Sequence, residues 1–177
     1  ETLKKDPVFP DRLRNDLEEV QAYWFYKQNI FDSAATHLTK AFSNAGTKQE
    51  RARWEFLAGQ LFEMSGDNKS AVDYYADCIK HTTDPVMEIY ARLNTIKNNK
   101  EGGEDYIDKN IAELLKMARR DKYADYRDII YYTAAQMELE RNNIAAAQIL
   151  LLKATKNNIE NTAQRNKSFL KLADLAF

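Results

Sequence analysis

Cys78 and His81 stand one helical turn apart with Asp77 and Asp84 close by, and a thiolate, an imidazole and carboxylates at that spacing could in principle hold a transition metal. The remaining metal signals are missing from the sequence: the other histidine is His37, far along the chain, and neither HExxH nor Glu-x-x-His occurs. We therefore expect Cys78 to be a small packing residue, since a free cysteine behaves as a small buried hydrophobe, and His81 to cap the C-terminal end of its helix. The five serines, Ser33, Ser43, Ser65, Ser70 and Ser168, lack a GxSxG setting. Gly102-Gly103 is followed by acidic residues and no GK[ST], so no phosphate cradle is expected. Acidic pairs such as Glu18-Glu19 and Glu104-Asp105 read as solvated faces. Lys116, Arg119, Arg120 and Lys122 interleave with Tyr123 and Tyr126, the mix of cations and aromatics that binds nucleic acid. Asp121, Asp125 and Asp128 dilute that cluster, and cations near a helix end also suit the helix dipole. No enzyme, no cofactor and no nucleic-acid partner is expected from these residues.

The elements that position the side chains follow from composition and period. The chain has 177 residues, 26 Lys+Arg against 27 Asp+Glu, and a formal net charge of −1 at pH 7, so it carries no bias toward polyanions. Five glycines and three prolines fall well below the roughly 12% average share of these residues, too few for turn-rich all-β or collagen-like chains. A hydrophobic content of 44% supplies a core. The single cysteine permits no intrachain disulfide and leaves the compartment open. The longest nearly continuous apolar stretch, Ile144 to Leu152, is too short to span a bilayer.

Small and bulky residues recur. Ala34/Leu38/Ala41, Ala71/Tyr75/Cys78 and Ala147/Leu151/Ala154 mark second helices, while Ala22, Gly59, Ala135 and Ala173 mark first helices. Ala34 to Ala71 is 37 residues and Ala71 to Ala147 is 76, twice 38. A small residue at each crossing lets two helices approach closely, and the large residue four positions on fills the groove beside it. Each unit is then a helical hairpin that must stack on its neighbours. Asn29, Gly66-Asp67 and Asn142-Asn143 fall where first helices should end in a left-handed residue. We expect an all-α, right-handed superhelical solenoid, a single domain over 1–177, with helices at 11–28, 31–45, 48–65, 68–81, 85–98, 104–120, 123–141, 143–158 and 161–177. These make hairpins over 11–45, 48–81, 85–120 and 123–158 and a terminal helix over 161–177, with the third hairpin out of register through Lys100-Glu101-Gly102-Gly103. The terminal helix is apolar up to Phe177, which carries the expectation of further repeats.

Arg51 to Asp84, RARWEFLAGQLFEMSGDNKSAVDYYADCIKHTTD, resembles the tetratricopeptide repeat, with Gly59, Phe62, Gly66, Ala71, Tyr75 and Cys78 at its small, aromatic, turn, small, aromatic and small positions. The repeats from Asp16 and Asp128 match more loosely, with Ala22 and Ala135 in place of the first small Gly and Glu138 in place of an aromatic. The strings ERARWEFLAGQLFEMSGD, DIIYYTAAQMELERNN and SFLKLADLAF are similar to the tetratricopeptide lipoproteins of Bacteroidetes needed for gliding motility and type IX protein secretion, the SprE/PorW type. The resemblance implies a non-catalytic protein–protein interaction scaffold, periplasmic and outer-membrane-associated, with a lipid anchor upstream of Glu1 and envelope components as partners. In the register above, the concave face carries Glu19, Tyr23, Tyr26 and Lys27, then Arg53, Phe56, Gln60 and Glu63, then Ile129, Tyr132 and Gln136, where a partner's segment or helix would dock in side-chain pockets. The alternative is a glycan- or peptide-binding helical-repeat lipoprotein of a nutrient-uptake system, which the ten tyrosines and two tryptophans favour and the short connectors oppose.

Overall fold

The computed structural model describes residues 7, 8, 10, 13–100, 105–157 and 160–176. Among these residues there are helices and turns and no strand. The α-helices are α1 (Arg14–Lys27), α2 (Phe31–Ala41), α3 (Lys48–Ser65), α4 (Asn68–His81), α5 (Pro85–Asn98), α6 (Tyr106–Ala118), α7 (Arg127–Glu140), α8 (Ile144–Lys156) and α9 (Thr162–Asp174). The expected helix starts at 11 and 104, the 101–103 part of the widened loop, the helix end at 158 and Phe177 lie outside the described residues. The chain divides into two compact units, Glu1–Asn98 and Asn99–Phe177. The segment expected as the third hairpin straddles that division, so α5 belongs to the first unit and α6 to the second.

Three of the turns share one device. Asn29, Gly66 and Asn142 have φ of 58°, 87° and 60°, and each ends a first helix in the left-handed conformation. At each, the residue after the turn donates back five positions, into the last turn of the helix: Ile30 N to Phe25 O, Asp67 N to Phe62 O and Asn143 N to Glu138 O, at 3.0, 2.9 and 2.9 Å. The left-handed residue itself bonds to Tyr26, Glu63 or Leu139, which satisfies the carbonyls a helix end leaves open. The next helix starts on a side-chain cap where the sequence offers one: Asp67 accepts from Ser70 N at 3.1 Å and Asn143 from Ala146 N at 3.4 Å, each worth about 1 kcal/mol. Thr47 caps α3 and Asn161 caps α9 in the same way.

The periodic small residues are the buried ones. Ala34, Ala71 and Ala147, then Ala41, Cys78 and Ala154, are fully enclosed, and Leu38, Tyr75 and Leu151 are buried between them. On the first helices Ala22, Gly59 and Ala135 are buried, whereas Ala173 is exposed. A Cβ on Gly59 would stand 2.8 Å from the Tyr75 ring, so the α3–α4 crossing is as close as the missing side chain allows. In the first unit α1 pairs with α2 and α3 with α4, while α2 packs on α3 and α4 on α5. In the second unit α7 pairs with α8, α6 packs on α7, and α9 packs on α8 with a lesser contact to α7. Burial of each bulky residue in these seams contributes about 1.5–3 kcal/mol.

Two boundaries differ from the expected ones by four residues. The second helix ends at Ala41 and continues as a 3-10 turn over Phe42–Asn44. The helix expected from 123 starts at Arg127, after a 3-10 stretch over Asp121–Tyr126 in which Tyr123 leaves helical geometry (φ −111°, ψ 16°). Arg120 is extended and the Tyr123 ring is buried, so the chain must turn before α7 begins. The Arg127 Nε donates 2.8 Å to the Ala118 carbonyl at the end of α6, which fixes where α7 starts.

Candidate functional site

The residues that come together most clearly form an open groove in the first unit, with a cavity volume of about 370 Å³. One wall is Glu19, Ala22, Tyr23 and Tyr26 of α1, the other Trp54, Leu57 and Leu61 of α3, with Leu38 of α2 between them. Spacings of three and four residues put each set on one helix face. Tyr23, Tyr26 and Leu57 are exposed, held open to solvent by helices whose opposite faces are committed to the core. Glu19 is the one charged side chain of the lining, and its carboxylate accepts 2.7 Å from Asn44 Nδ2. The Tyr26 ring packs on Phe31, and the Lys27 ammonium lies 5.3 Å over the Tyr23 ring. Such a groove can take apolar side chains and satisfy one cation or donor at the Glu19 end.

Of the expected concave residues, the structure gathers Glu19, Tyr23 and Tyr26, with Lys27 adjoining through Tyr23. The expected α3 row lies on another flank. Phe56 packs edge-on against Tyr75 at 5.4 Å, and Glu63 accepts from Tyr75 OH at 2.9 Å and from Lys97 Nζ at 3.0 Å. Arg53 and Gln60 are exposed and do not line the groove. The reason is the period itself: Phe56, Gln60 and Glu63 are Glu19, Tyr23 and Tyr26 shifted by 37 residues, so they look toward α5, whereas the flank facing α1 carries Trp54, Leu57 and Leu61. Applying the period to both flanks of α3 would have found these three residues. In the second unit Ile129 is buried, 9% exposed, and offers a partner little surface. Tyr132 is half-buried and Gln136 exposed.

The titratable residues are drawn into structural pairs. Glu55 is buried in α3; its Oε1 accepts 2.7 Å from Arg51 Nε and its Oε2 lies 2.7 Å from His81 Nδ1. Glu18, one period before Glu55, has its Oε2 2.6 Å from His37 Nδ1, and the His37 ring stacks on Phe25. Each histidine thus ties a second helix to a first-helix carboxylate, and His81 turns its ring to Glu55. Burial, reinforced by the nearby Glu55 charge, pushes the Cys78 thiol up to about 12, which leaves it protonated and a poor metal ligand. Among the described residues no group of three or more His, Cys, Asp or Glu side chains could hold a metal ion. In the second unit, burial holds the Asp128 carboxyl above the usual range against the Ile129 backbone and Asn161 hydrogen bonds; Asn161 Nδ2 donates 2.9 Å to its Oδ2.

The basic cluster near 120 keeps one of its two aromatics at the surface. Lys116, Arg119, Arg120 and Lys122 are exposed and Tyr126 is half-buried, but Tyr123 is buried beneath the Lys122 ammonium, 5.4 Å from its ring centre. A buried ring cannot stack on a base, so Tyr123 is withdrawn from that role. Among the described residues no helix is long and apolar enough to cross a membrane. No protein-family model matches the chain, and comparison with characterised proteins returns no match.

Proposed function

We propose that the chain is a non-catalytic protein–protein interaction scaffold of tetratricopeptide-like hairpins, and that the α1–α3 groove is where it takes a partner. The observation that carries this reading is the groove: Tyr23, Tyr26, Trp54 and Leu57 present an apolar surface with one carboxylate, Glu19, at its edge. Aromatic anchors of this kind dominate binding energies where they become fully desolvated. A helical wall has its backbone groups already bonded, so the partner is held by side-chain insertion and not by strand addition. The periodic burial of Ala34, Ala71 and Ala147 and the shared turns at Asn29, Gly66 and Asn142 support the repeat architecture. The resemblance to the SprE/PorW lipoproteins supports a place in the periplasm at the outer membrane, as an adaptor in a type IX secretion or gliding machine.

The test is capture from a native envelope after mild crosslinking, with wild type beside the double variant Tyr26→Ala/Leu57→Asp, whose folding is checked by circular dichroism. Recovery of secretion or motility proteins with wild type and their loss with the folded variant is the expected result. Recovery of glycans alone would instead favour the nutrient-uptake reading, and equal recovery with both proteins would remove the groove from the account.

A further inference from the structure

Glu19 is the one charge in the lining of the α1–α3 groove, and it stands uncompensated. Its Oε1 accepts from Asn44 Nδ2 at 2.7 Å, and the same amide reaches Asp16 Oδ1, one turn earlier on α1, at 3.4 Å. Among the described residues no cation pairs with either carboxylate. An amide donates to a carboxylate without neutralising it, so this end of the groove keeps a negative charge at Glu19 with a second, on the exposed Asp16, beside it.

From Glu19 the α1 wall runs on through aromatic rings. Tyr23 lies one turn further, 62% exposed, then Tyr26, 44% exposed, and the half-buried Trp54 stands on the facing wall. A carboxylate beside several aromatic side chains suits a cation on an apolar stem, because the ring faces attract the charge and the stem lies along them. Tyr23 already draws one: the Lys27 ammonium, from the next turn of α1, lies 5.3 Å over its ring, although Lys27 is not part of the lining. Beyond the rings the groove is aliphatic, with Leu38, Leu57 and Leu61. A small free ammonium ion would leave that surface uncovered, whereas apolar neighbours of a basic side chain would fill it.

We propose that the occupant of the groove is a segment of a partner polypeptide that sets a basic side chain between Glu19 and Tyr23 and lays bulky apolar residues over Leu57 and Leu61. This deepens the groove reading and rests on it. Charge makes the choice: an acidic segment meets Glu19 and Asp16 with the wrong sign, and a wholly apolar one takes water from Glu19 without supplying a counter-charge. Lys27 is the internal competitor for the Tyr23 ring, and the incoming cation displaces it.

The test uses capped, fluorescein-labelled hexapeptide pools, mixed Leu, Phe, Ala and Ser at every position but the third, where one pool carries Lys, one norleucine and one Glu. Each is titrated against the whole chain by fluorescence anisotropy. The Lys pool should bind tighter than the norleucine pool by about fivefold or more, and the Glu pool should bind most weakly. Glu19→Gln should bring the Lys pool down to the norleucine level while leaving the norleucine pool no weaker, a pattern that loss of folding would not give. Lys27→Met should tighten the Lys pool by about twofold or more. The proposal is overturned if Glu19→Gln leaves the preference for Lys in place, if Lys27→Met weakens the Lys pool, or if the wild-type chain pairs with itself through the groove in a dimer that Leu57→Asp splits. Equal binding of the three pools, or preference for Glu, when abolished by Leu57→Asp, overturns it and leaves the groove reading standing. No saturation up to millimolar peptide, or binding undiminished by Leu57→Asp in a folded protein, removes both.

Discussion

Replacing Gly59 with Ala should destabilise the first unit although alanine is the better helix former. The new methyl would meet Cδ1 and Cε1 of Tyr75 at 2.8 Å and Cγ at 3.1 Å. Tyr75 cannot simply swing aside: it is fully buried, Phe56 packs edge-on against its ring, and its hydroxyl donates to Glu63. Overpacking against a ring held on two sides costs about 2–3 kcal/mol, near the upper end for such insertions. The gain in helix propensity from Gly to Ala returns about 1 kcal/mol. The net loss is roughly 1–2 kcal/mol, a fall in melting temperature on the order of 4–15 °C for a unit of this size. Urea denaturation followed by circular dichroism measures it. The ring contact is isolated by repeating the substitution in a Tyr75→Leu background, where the narrower side chain should cancel most of the penalty. A net stabilisation of Gly59→Ala by about 1 kcal/mol, or the same loss in both backgrounds, would refute the claim that the α3–α4 crossing needs a glycine.

Glu55→Ala should cost about 1.5–3 kcal/mol in the same assay, because it removes the hydrogen bonds that join a buried carboxylate to Arg51 and His81 while leaving those two side chains partly in solvent; a loss under about 0.5 kcal/mol would mean the network is idle. For Asp128, the folded-state carboxyl lies above its unfolded value because of burial, so its contribution to stability is fully present below the unfolded value and is lost as pH rises through the folded one. Asp128→Asn should therefore gain stability relative to wild type as pH is raised from about 3 to about 7, and a relative loss over that span would contradict the assignment. The Cys78 thiol, enclosed and pushed up to about 12, should resist a thiol reagent at pH 8 until the protein unfolds, with a labelling rate that tracks denaturant; rapid labelling of the native protein would place Cys78 elsewhere.

Much of the fold was legible because its determinants are local and periodic. A left-handed residue is signalled by Gly or Asn at the end of an apolar period, and Asn29, Gly66 and Asn142 are where the chain turns. A small residue at a helix crossing is signalled by its recurrence, and Ala34, Ala71 and Ala147 are enclosed. The start of α7 was not legible, since it depends on Tyr123 finding a buried site and Arg127 reaching the end of α6, contacts that no window of sequence contains. The groove was half legible. Glu19, Tyr23 and Tyr26 follow from the face of one helix, but choosing between the two flanks of α3 requires knowing which neighbour each faces. Phe56 and Glu63 are as suitable for binding by residue type as Trp54 and Leu57; only the contacts to Tyr75 and Lys97 show that they are already occupied. The pairing of both histidines with first-helix glutamates was likewise hidden, because Glu55 and His81 are 26 residues apart.

The most direct test of the scaffold reading is site-specific photocrosslinking in the native envelope, with a photoreactive phenylalanine analogue at Leu57 in the groove and, as a control, at Lys80 on the exposed side of α4. The account predicts a discrete protein adduct from position 57 that is absent from position 80 and disappears when Tyr23 and Tyr26 are both changed to Ala. Adducts of equal yield from both positions, or none from position 57 in a folded protein, would contradict it.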